Sequence, residues 1–234
     1  MTEPLLKVSD LHAWYGESHV LHGIAFDVSA GEVVSLLGRN GAGKTTTLRA
    51  IMGLMSKREG SVTMDGRELI GLEPRHIARH GIAICPEERG IFASLSVREN
   101  LNLPPRIADG GLSEDEIFEL FPNLLERLNS QGTKLSGGEQ QMLAIARILR
   151  SGARLLLLDE PTEGLAPVII QHIRRTIEAL KTRGFTIVLV EQNFRFAATV
   201  ADRHYIVDQG LVVDEIAGAE VDARTDDLKR YLGV

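Results

Sequence analysis

The stretch GRNGAGKTT at residues 38–46 follows the apolar run EVVSLLG and leads into KTTTLRAIMGL, which has the pattern of a helix. From Gly38 to Thr45 it matches G-x-x-x-x-G-K-[ST], a pattern that belongs between a strand and a helix. Glycines in such a turn let backbone N–H groups wrap an anion without Cβ clashes, and the helix N-terminus adds a favourable dipole. The stretch therefore predicts a phosphate-binding loop inside an α/β fold.

Two further side chains of this loop and two carboxylates extend the predicted site. The pattern places Lys44 where it reaches the β- and γ-phosphates of a nucleotide, and the Thr45 hydroxyl where it ligates magnesium. The buried run LLLL at 155–158 ends in Asp159 and Glu160. Because successive strand residues point to opposite sides, adjacent carboxylates can have different roles. We predict that Asp159 faces the magnesium ion and that Glu160 faces the attacking water.

A second glycine-rich helix start lies in KLSGGEQQ, residues 134–141. Ser136 and Glu139 form an S-x-x-E capping box, and helical spacing continues beyond them. Capping explains these two residues but not Gly137 and Gly138, because glycine costs a helix roughly 1 kcal/mol relative to alanine. A ligand that approaches the backbone would explain both glycines, and the free N–H groups favour an anion. The stretch therefore predicts a second anion-binding site, for a nucleotide that is bound elsewhere.

The rest of the chain alternates strand and helix patterns. Residues 5–28 alternate apolar and polar side chains, which is typical of antiparallel strands with one solvated face. The later runs IAICP, RLLLLDE, FTIVLVE and HYIVD are separated by helical patterns, including one that opens on a capping box at Ser113 and Glu116. This order predicts a mostly parallel sheet covered by helices on both faces. The 234 residues fit one large domain, or one domain with an inserted subdomain.

Composition argues against several classes of protein. The net charge is -6 and no block of like charges occurs, so a nucleic-acid-binding tail is not expected. Cys85 is the single cysteine, which we expect to be a small buried residue in a reducing compartment. No apolar run approaches the ~18 residues of a membrane span, and the N-terminus lacks the pattern of a signal peptide. Any role at a membrane therefore requires other subunits.

Together, LSGGEQQ, GRNGAGKT and LLLLDEP resemble the ATP-binding cassette (ABC) family, whose signature reads LSGGQ. The resemblance covers essentially the whole chain and the order of its motifs. It implies a P-loop NTPase fold with a mostly parallel central sheet, an antiparallel β subdomain and an inserted α-helical subdomain. We expect residues 1–86 and 152–234 to form the ATPase core with the antiparallel β subdomain. Residues 87–151 then form the helical subdomain that carries the signature.

In the ABC family two cassettes pair head to tail, and each ATP lies between the phosphate-binding loop of one and the signature helix of the other. The resemblance therefore implies Mg²⁺-dependent ATP hydrolysis by a dimer. It places Tyr15 against the adenine ring, with Trp14 as the alternative. The implied ATP-binding residues are Tyr15, Gly38, Arg39, Asn40, Gly41, Ala42, Gly43, Lys44, Thr45 and Thr46. The residues implied to contact the ATP of the partner are Leu135, Ser136, Gly137, Gly138 and Glu139.

Three positions depart from the commonest ABC pattern. Glu139 stands where the signature usually has glutamine, and either residue completes a capping box. Glu87 replaces the glutamine near magnesium and the γ-phosphate, and a carboxylate still coordinates magnesium directly or through water. Gln192 replaces a histidine, and its amide donates a similar hydrogen bond but does not titrate near neutrality. The implied catalytic residues are Glu160 as general base, Gln192 as γ-phosphate sensor and Lys44; the implied magnesium ligands are Thr45, Asp159 and Glu87.

The segments PEERGIF, SVRENL, DEPTEGLAP and LVEQN resemble the second ATPase subunit, the LivF type, of branched-chain amino-acid importers. That resemblance implies a second ABC ATPase subunit, two transmembrane permease subunits and, indirectly, an external solute-binding protein. It also implies a peripheral position on the cytoplasmic face of the membrane. The letters PTEG favour related importers of amides or urea. Two other functions stay open: an ABC ATPase that acts on nucleic acid or ribosomes, and a regulatory module that binds ATP without turnover.

Overall fold

The first part of the chain forms a four-stranded antiparallel sheet in the computed structural model, which describes residues 3–233. Its strands alternate buried and exposed residues, because one face packs on an apolar core and the other meets solvent. The Asp-Gly turn at Asp65 and Gly66 joins the last two strands, with both residues at positive φ. In spatial order the strands are β2 (Ser18–Val28), β1 (Leu6–Tyr15), β4 (Lys57–Met64) and β5 (Arg67–Glu68).

A six-stranded sheet forms the centre of the described part of the chain. Its neighbouring strands pair in parallel, except that the edge strand at residues 211–217 runs antiparallel to its neighbour. The prediction of a mostly parallel central sheet is therefore confirmed. In spatial order the strands are β10 (Leu211–Ala217), β9 (Arg203–Asp208), β3 (Val33–Leu37), β8 (Thr186–Glu191), β7 (Leu155–Asp159) and β6 (Ile82–Cys85).

Helices flank both sheets, and several begin at the signals that the sequence carries. A capping box with both hydrogen bonds opens the helices after Ser96, Ser113 and Ser136. Proline stands at the start of three others. The helices are α1 (Lys44–Ile51), α2 (Pro74–Arg79), α3 (Val97–Asn102), α4 (Glu114–Leu120), α5 (Pro122–Glu126), α6 (Gly137–Arg150), α7 (Pro167–Thr182), α8 (Phe194–Ala197) and α9 (Thr225–Leu232).

Two apolar cores lie on opposite faces of the central sheet. Leu155 and Leu157 of β7 belong to the core that includes the apolar residues of α1, whereas Leu156 and Leu158 belong to the core of α6. This alternation follows from the strand geometry and sends Asp159 toward the α1 side. Cys85 is buried as expected, and burial raises the pKa of its thiol to about 12. No helix within residues 3–233 has the length and apolar character to cross a bilayer.

Candidate active site

The loop between β3 and α1 encloses the Lys44 side chain. The Lys44 ammonium donates to the carbonyl oxygens of Gly38 at 2.9 Å and Arg39 at 3.1 Å, and lies 3.4 Å from Glu160 Oε1. Only 4% of Lys44 is exposed. Gly43 takes a φ of 110°, which an L side chain rarely adopts, so the loop needs glycine at the start of the helix. The chain thereby holds a cation beside an open helix N-terminus, which is suited to an anionic ligand.

A pocket of about 470 Å³ lies over this loop. It brings together residues that are far apart in the sequence, from the end of β1, the loop before α1, and the ends of β6, β7 and β8. Of the predicted site residues, those that line the pocket are Tyr15, Asn40, Gly41, Gly43, Lys44, Thr45, Thr46, Glu87, Glu160 and Gln192. Val20 and Glu163 also line it, and neither was predicted from the sequence to do so.

Three residues of the predicted nucleotide-binding set do not line the pocket. A Cβ on Gly38 would lie 2.3 Å from the carbonyl oxygen of Val207, so this glycine allows close packing of the backbone. Arg39 Nε donates to the carbonyl oxygen of Tyr231 in α9 at 3.2 Å, away from the pocket. Ala42 is buried. These three residues support the shape of the loop, while their neighbours face the cavity.

The predicted magnesium ligands Thr45 and Asp159 lie side by side. The Thr45 hydroxyl donates to Asp159 Oδ1 at 2.9 Å. Burial, together with the negative charges of Glu160 and Glu87, raises the pKa of the Asp159 carboxyl to about 6. A buried carboxylate with a hydroxyl oxygen beside it, in an excess of negative charge, offers the hard oxygen ligands that Mg²⁺ prefers. The side chains present therefore fit a magnesium ion.

Glu160 is held by several contacts just beyond β7. Its φ of 45° lies in the left-handed region, where a residue other than glycine costs about 1–3 kcal/mol and is frequent at functional sites. Its backbone N–H donates to the carbonyl oxygen of Val190 at 3.0 Å. Gln192 Nε2 donates to Glu160 Oε2 at 2.7 Å, and Lys44 lies at the other carboxylate oxygen. The carboxylate thus has a fixed position between a cation and an amide donor.

Glu163 adds a third carboxyl group to this side of the pocket. A hydrogen bond with Glu160 raises the pKa of Glu163, and the charge of Glu87 acts in the same direction. The neighbouring carboxylates therefore disfavour the charged form of Glu163. A signal for this residue was present in the sequence, since Glu163 comes only three residues after Glu160.

The structure separates the two aromatic candidates for adenine stacking. Tyr15 lines the pocket, is 46% exposed and lies with its hydroxyl 3.5 Å from Arg49 Nη1. Trp14 instead stacks on His19 with ring centroids 4.3 Å apart, and Lys57 Nζ lies 4.2 Å from its ring centre. Adjacent strand residues point to opposite faces, which explains the separation. The geometry therefore favours Tyr15 over Trp14.

The signature segment lies outside the pocket of its own chain. Ser136 and Glu139 make the predicted capping box, in which the Ser136 backbone N–H donates to Glu139 Oε2 at 2.8 Å. A Cβ on Gly137 would meet only the flexible end of Arg89, at 3.3 Å. Residues 135–139 contribute nothing to the lining of the 470 Å³ pocket. If this segment binds a nucleotide, that nucleotide lies in a different pocket.

Gly138 has a packing reason to be glycine that the sequence alone did not reveal. This residue is buried where α6 begins, and an added Cβ would lie 2.8 Å from Ile169 Cγ1 of α7. Close packing of the two helices is therefore a sufficient reason for glycine at this position. Packing thus explains glycine at position 138 without a ligand, and the contact of Gly137 and Gly138 with a nucleotide of the partner stays a prediction.

Comparison with known proteins identifies the family. A model described as ABC transporter matches residues 21–163, which is more than half of the chain. This chain belongs to the ABC transporter family. As an ABC ATPase subunit, it binds and hydrolyses ATP.

Relatives of this ABC ATPase subunit are similar over nearly its full length. It is 42% identical to the high-affinity branched-chain amino acid transport ATP-binding protein BraG of Pseudomonas aeruginosa, over 98% of this chain and 100% of BraG. It is 37% identical to the lipopolysaccharide export system ATP-binding protein LptB of Escherichia coli, over 97% of each chain. A dimeric ATP-binding cassette solved in a post-hydrolysis state with ADP and Pi is 26% identical, with a TM-score of 0.77 over 91% of this chain and 98% of that one.

Tyr15→Ala in this ABC ATPase should raise the Kd of ATP by roughly 5- to 100-fold, because stacking of a base on an aromatic ring contributes about 1–3 kcal/mol. Isothermal titration with ATP measures the change. Trp14→Ala is the matched control and should leave the Kd unchanged, since its ring packs on His19. A larger loss in the Trp14 variant would mean that the adenine lies on the other face of β1.

Gly138→Ala should lower the free energy of unfolding by about 1–3 kcal/mol, because the new methyl group overpacks the contact with Ile169. Urea unfolding measures this loss. Gly137→Ala is the control and should not destabilise the chain, since alanine favours a helix and only the end of Arg89 must move. In an Ile169→Ala background the Gly138 substitution should cost nothing. An equally stable Gly138→Ala chain would remove packing as the reason for this glycine.

Proposed function

We propose that this ABC ATPase powers an importer of branched-chain, hydrophobic amino acids. The observation that carries the proposal is the 42% identity to BraG over the whole of both chains. The resemblance of PEERGIF, DEPTEGLAP and LVEQN to LivF-type subunits points in the same direction. Solute contacts in such importers lie on other subunits, so the site described above supplies the energy and not the choice of solute.

In this proposal the chain pairs with a second ABC ATPase subunit, which is either an unlike subunit or another copy. The pair works with two transmembrane permease subunits on the cytoplasmic face of the membrane, and through them with an external solute-binding protein. Phe92 and Leu103, between β6 and α4, are large apolar residues that are exposed on this chain. Such side chains support a surface that a partner covers.

The proposed division of the chain separates the ATPase core, residues 1–86 and 152–234, from a helical subdomain, residues 87–151. Helices α3 to α6 follow one another between β6 and β7, which supports an insertion into the core. Arg147 Nη1 in α6 donates to the carbonyl oxygen of Gly90 at 2.7 Å. Within the helical subdomain this contact holds the loop that carries Glu87 against α6, which offers a route from the γ-phosphate to the proposed permease surface.

The chemistry proposed for the pocket is positional and electrostatic. Backbone N–H groups of the loop before α1 and the ammonium of Lys44 bind the phosphates of ATP. Thr45, Asp159 and Glu87 would hold magnesium, which when bound neutralises negative charge on the phosphate oxygens. Glu160 accepts a proton from the attacking water as the water oxygen bonds to the γ-phosphorus and the bond from that phosphorus to the β–γ bridging oxygen breaks, which leaves ADP and inorganic phosphate. Gln192 leaves its hydrogen bond with Glu160 to donate to the γ-phosphate, so that it senses the triphosphate.

The signature segment serves, in this proposal, the ATP bound to the opposite cassette. Residues 135–139 lie away from the pocket of their own chain. At the start of α6 Ser136 caps the N–H of Glu139, and the first N–H groups of the helix, at Gly137 and Gly138, are offered to an anion. A dimeric cassette with ADP and Pi is among the similar structures, which supports pairing as a working state of the family. Each chain then supplies half of each active site, and ATP hydrolysis requires the pair.

A second candidate function comes from the 37% identity to LptB, whose name describes lipopolysaccharide export. The ATPase site is compatible with either role, because the transported molecule does not touch it. The letters PTEG at 161–164 keep importers of amides or urea as a third candidate. These candidates share the ATPase and differ in the permease.

Purification of the chain with its membrane subunits tests the proposal. The complex, in vesicles with its solute-binding protein, should hydrolyse ATP several-fold faster when leucine, isoleucine or valine is added. Urea and short amides serve as the matched comparison. Stimulation by urea, or co-purification with an exporter that responds to lipopolysaccharide, would overturn the branched-chain assignment and leave the ATPase assignment intact.

A further inference from the structure

A buried carboxylate lies next to the pocket and has no part in the chemistry described above. Glu191 ends β8 and is only 3% exposed. Burial raises the pKa of Glu191 to about 7, with the charge of Glu160 adding to the effect and hydrogen bonds from Thr162 and Asn193 opposing it. Keeping a carboxylate in such a place costs free energy unless its oxygens are paired. An apolar residue would avoid this cost, so we expect the carboxylate to make a specific contact.

The two oxygens of Glu191 accept hydrogen bonds from two different loops. The Thr162 hydroxyl donates to Oε1 at 2.6 Å, and the backbone N–H of Asn193 donates to Oε2 at 3.3 Å. Thr162 is also buried. An ionised carboxylate is an acceptor at both oxygens and matches these two donors, whereas the amide of glutamine has one acceptor only. The geometry therefore requires a carboxylate and not merely a polar residue.

The two loops joined in this way carry the two groups that meet in the pocket. Thr162 follows Glu160 by two residues, and Asn193 follows Gln192 directly. Gln192 Nε2 and Glu160 Oε2 lie 2.7 Å apart on the pocket side. The contact between Thr162 and Glu191 lies behind this pair and closes a ring of hydrogen bonds between the ends of β7 and β8. Neither Thr162 nor Glu191 lines the pocket.

We propose that Glu191 is a positioning residue for ATP hydrolysis, which clamps the loop of Glu160 to the loop of Gln192 through Thr162. The clamp keeps the backbones of the two loops at a fixed separation while ATP and the attacking water enter and the Gln192 side chain turns to the γ-phosphate. This inference rests on the roles proposed above for Glu160 and Gln192. Because the clamp does not touch the nucleotide, its loss affects the rate of hydrolysis and not the affinity for ATP.

Paired substitutions at both ends of the clamp test this inference in the assembled ATPase complex. Thr162→Val removes the hydroxyl and keeps the shape, whereas Thr162→Ser keeps the hydroxyl. We expect Thr162→Val and Glu191→Gln to lower kcat by about 10- to 100-fold, the loss that a displacement near 1 Å causes, with the Kd of ATP within about 2-fold of the parent. Thr162→Ser should stay close to the parent. The Thr162→Val/Glu191→Gln double variant should be no slower than the slower single variant, because both substitutions disrupt the same contact between Thr162 and Glu191.

Other outcomes would overturn the inference. An unchanged kcat in Glu191→Gln and Thr162→Val would do so, as would an equal loss in Thr162→Ser and Thr162→Val. A loss of kcat that is matched by lower thermal stability and weaker ATP binding would assign Glu191 to the fold alone. Glu160→Gln and Gln192→Ala are measured in parallel. If these two variants kept the parent kcat, the proposed roles of Glu160 and Gln192 would fail, whatever the Glu191 variants did.

Discussion

Glu160→Gln should lower kcat for ATP hydrolysis by about 10²- to 10⁴-fold, the contribution of a general base, and leave the Kd of ATP nearly unchanged. Glutamine fills the same space and keeps the contact with Gln192, but its amide does not accept a proton from water. The contact of Lys44 with the carboxylate is weakened, which frees the ammonium for the phosphates. Phosphate release in a single turnover gives the rate, and equilibrium titration gives the affinity.

Glu178→Gln is the matched control for this substitution. Glu178 lies on α7 in an ion pair with Arg174, on a solvated part of the helix. The same chemical change at this position should leave kcat within experimental error. If Glu160→Gln hydrolysed ATP as fast as the control, the base would have to be another group, and Glu163 would be the next candidate because it also lines the pocket.

Gly137→Trp should lower ATP hydrolysis by about 100-fold, because an indole at the start of α6 displaces the second half of a composite site. ATP binding to the single chain should be unaffected, since Gly137 is not part of the lining of its own pocket. Thermal stability should also be retained, because the atoms nearest to a Cβ at this position belong to the flexible end of Arg89. Gly137→Ala should lose only a few-fold in rate. Loss of ATP affinity in the isolated Gly137→Trp chain would place the signature in its own pocket.

Local signals in the sequence were sufficient for much of the fold. The glycine-rich loop, the apolar strands and the capping boxes at Ser113 and Ser136 act over a few residues, and each is found where it was expected. The helix after Ser96 was missed, although Ser96 and Glu99 carry the same capping signal. It is only six residues long, and a helix of that length has little periodicity to detect.

Contacts between distant parts of the chain could not be predicted in the same way. The close approach of Ile169 leaves no room for a Cβ at Gly138. The local sequence around either residue does not indicate that α6 and α7 meet at that point. Arg39 belongs to the nucleotide-binding loop by sequence, yet its guanidinium reaches α9, near the other end of the chain. Thr162 and Glu191 are 29 positions apart, and only the parallel pairing of β7 and β8 brings their loops together.

The central claim is that ATP is bound between two cassettes, and its most direct test is association driven by ATP. Light scattering should show that the Glu160→Gln chain, alone or with its second ATPase subunit, forms a dimer when ATP is added. Adding Gly137→Trp to that background should abolish the dimer while ATP still binds. A Gly137→Trp chain that stayed monomeric and hydrolysed ATP at the parent rate would contradict the claim.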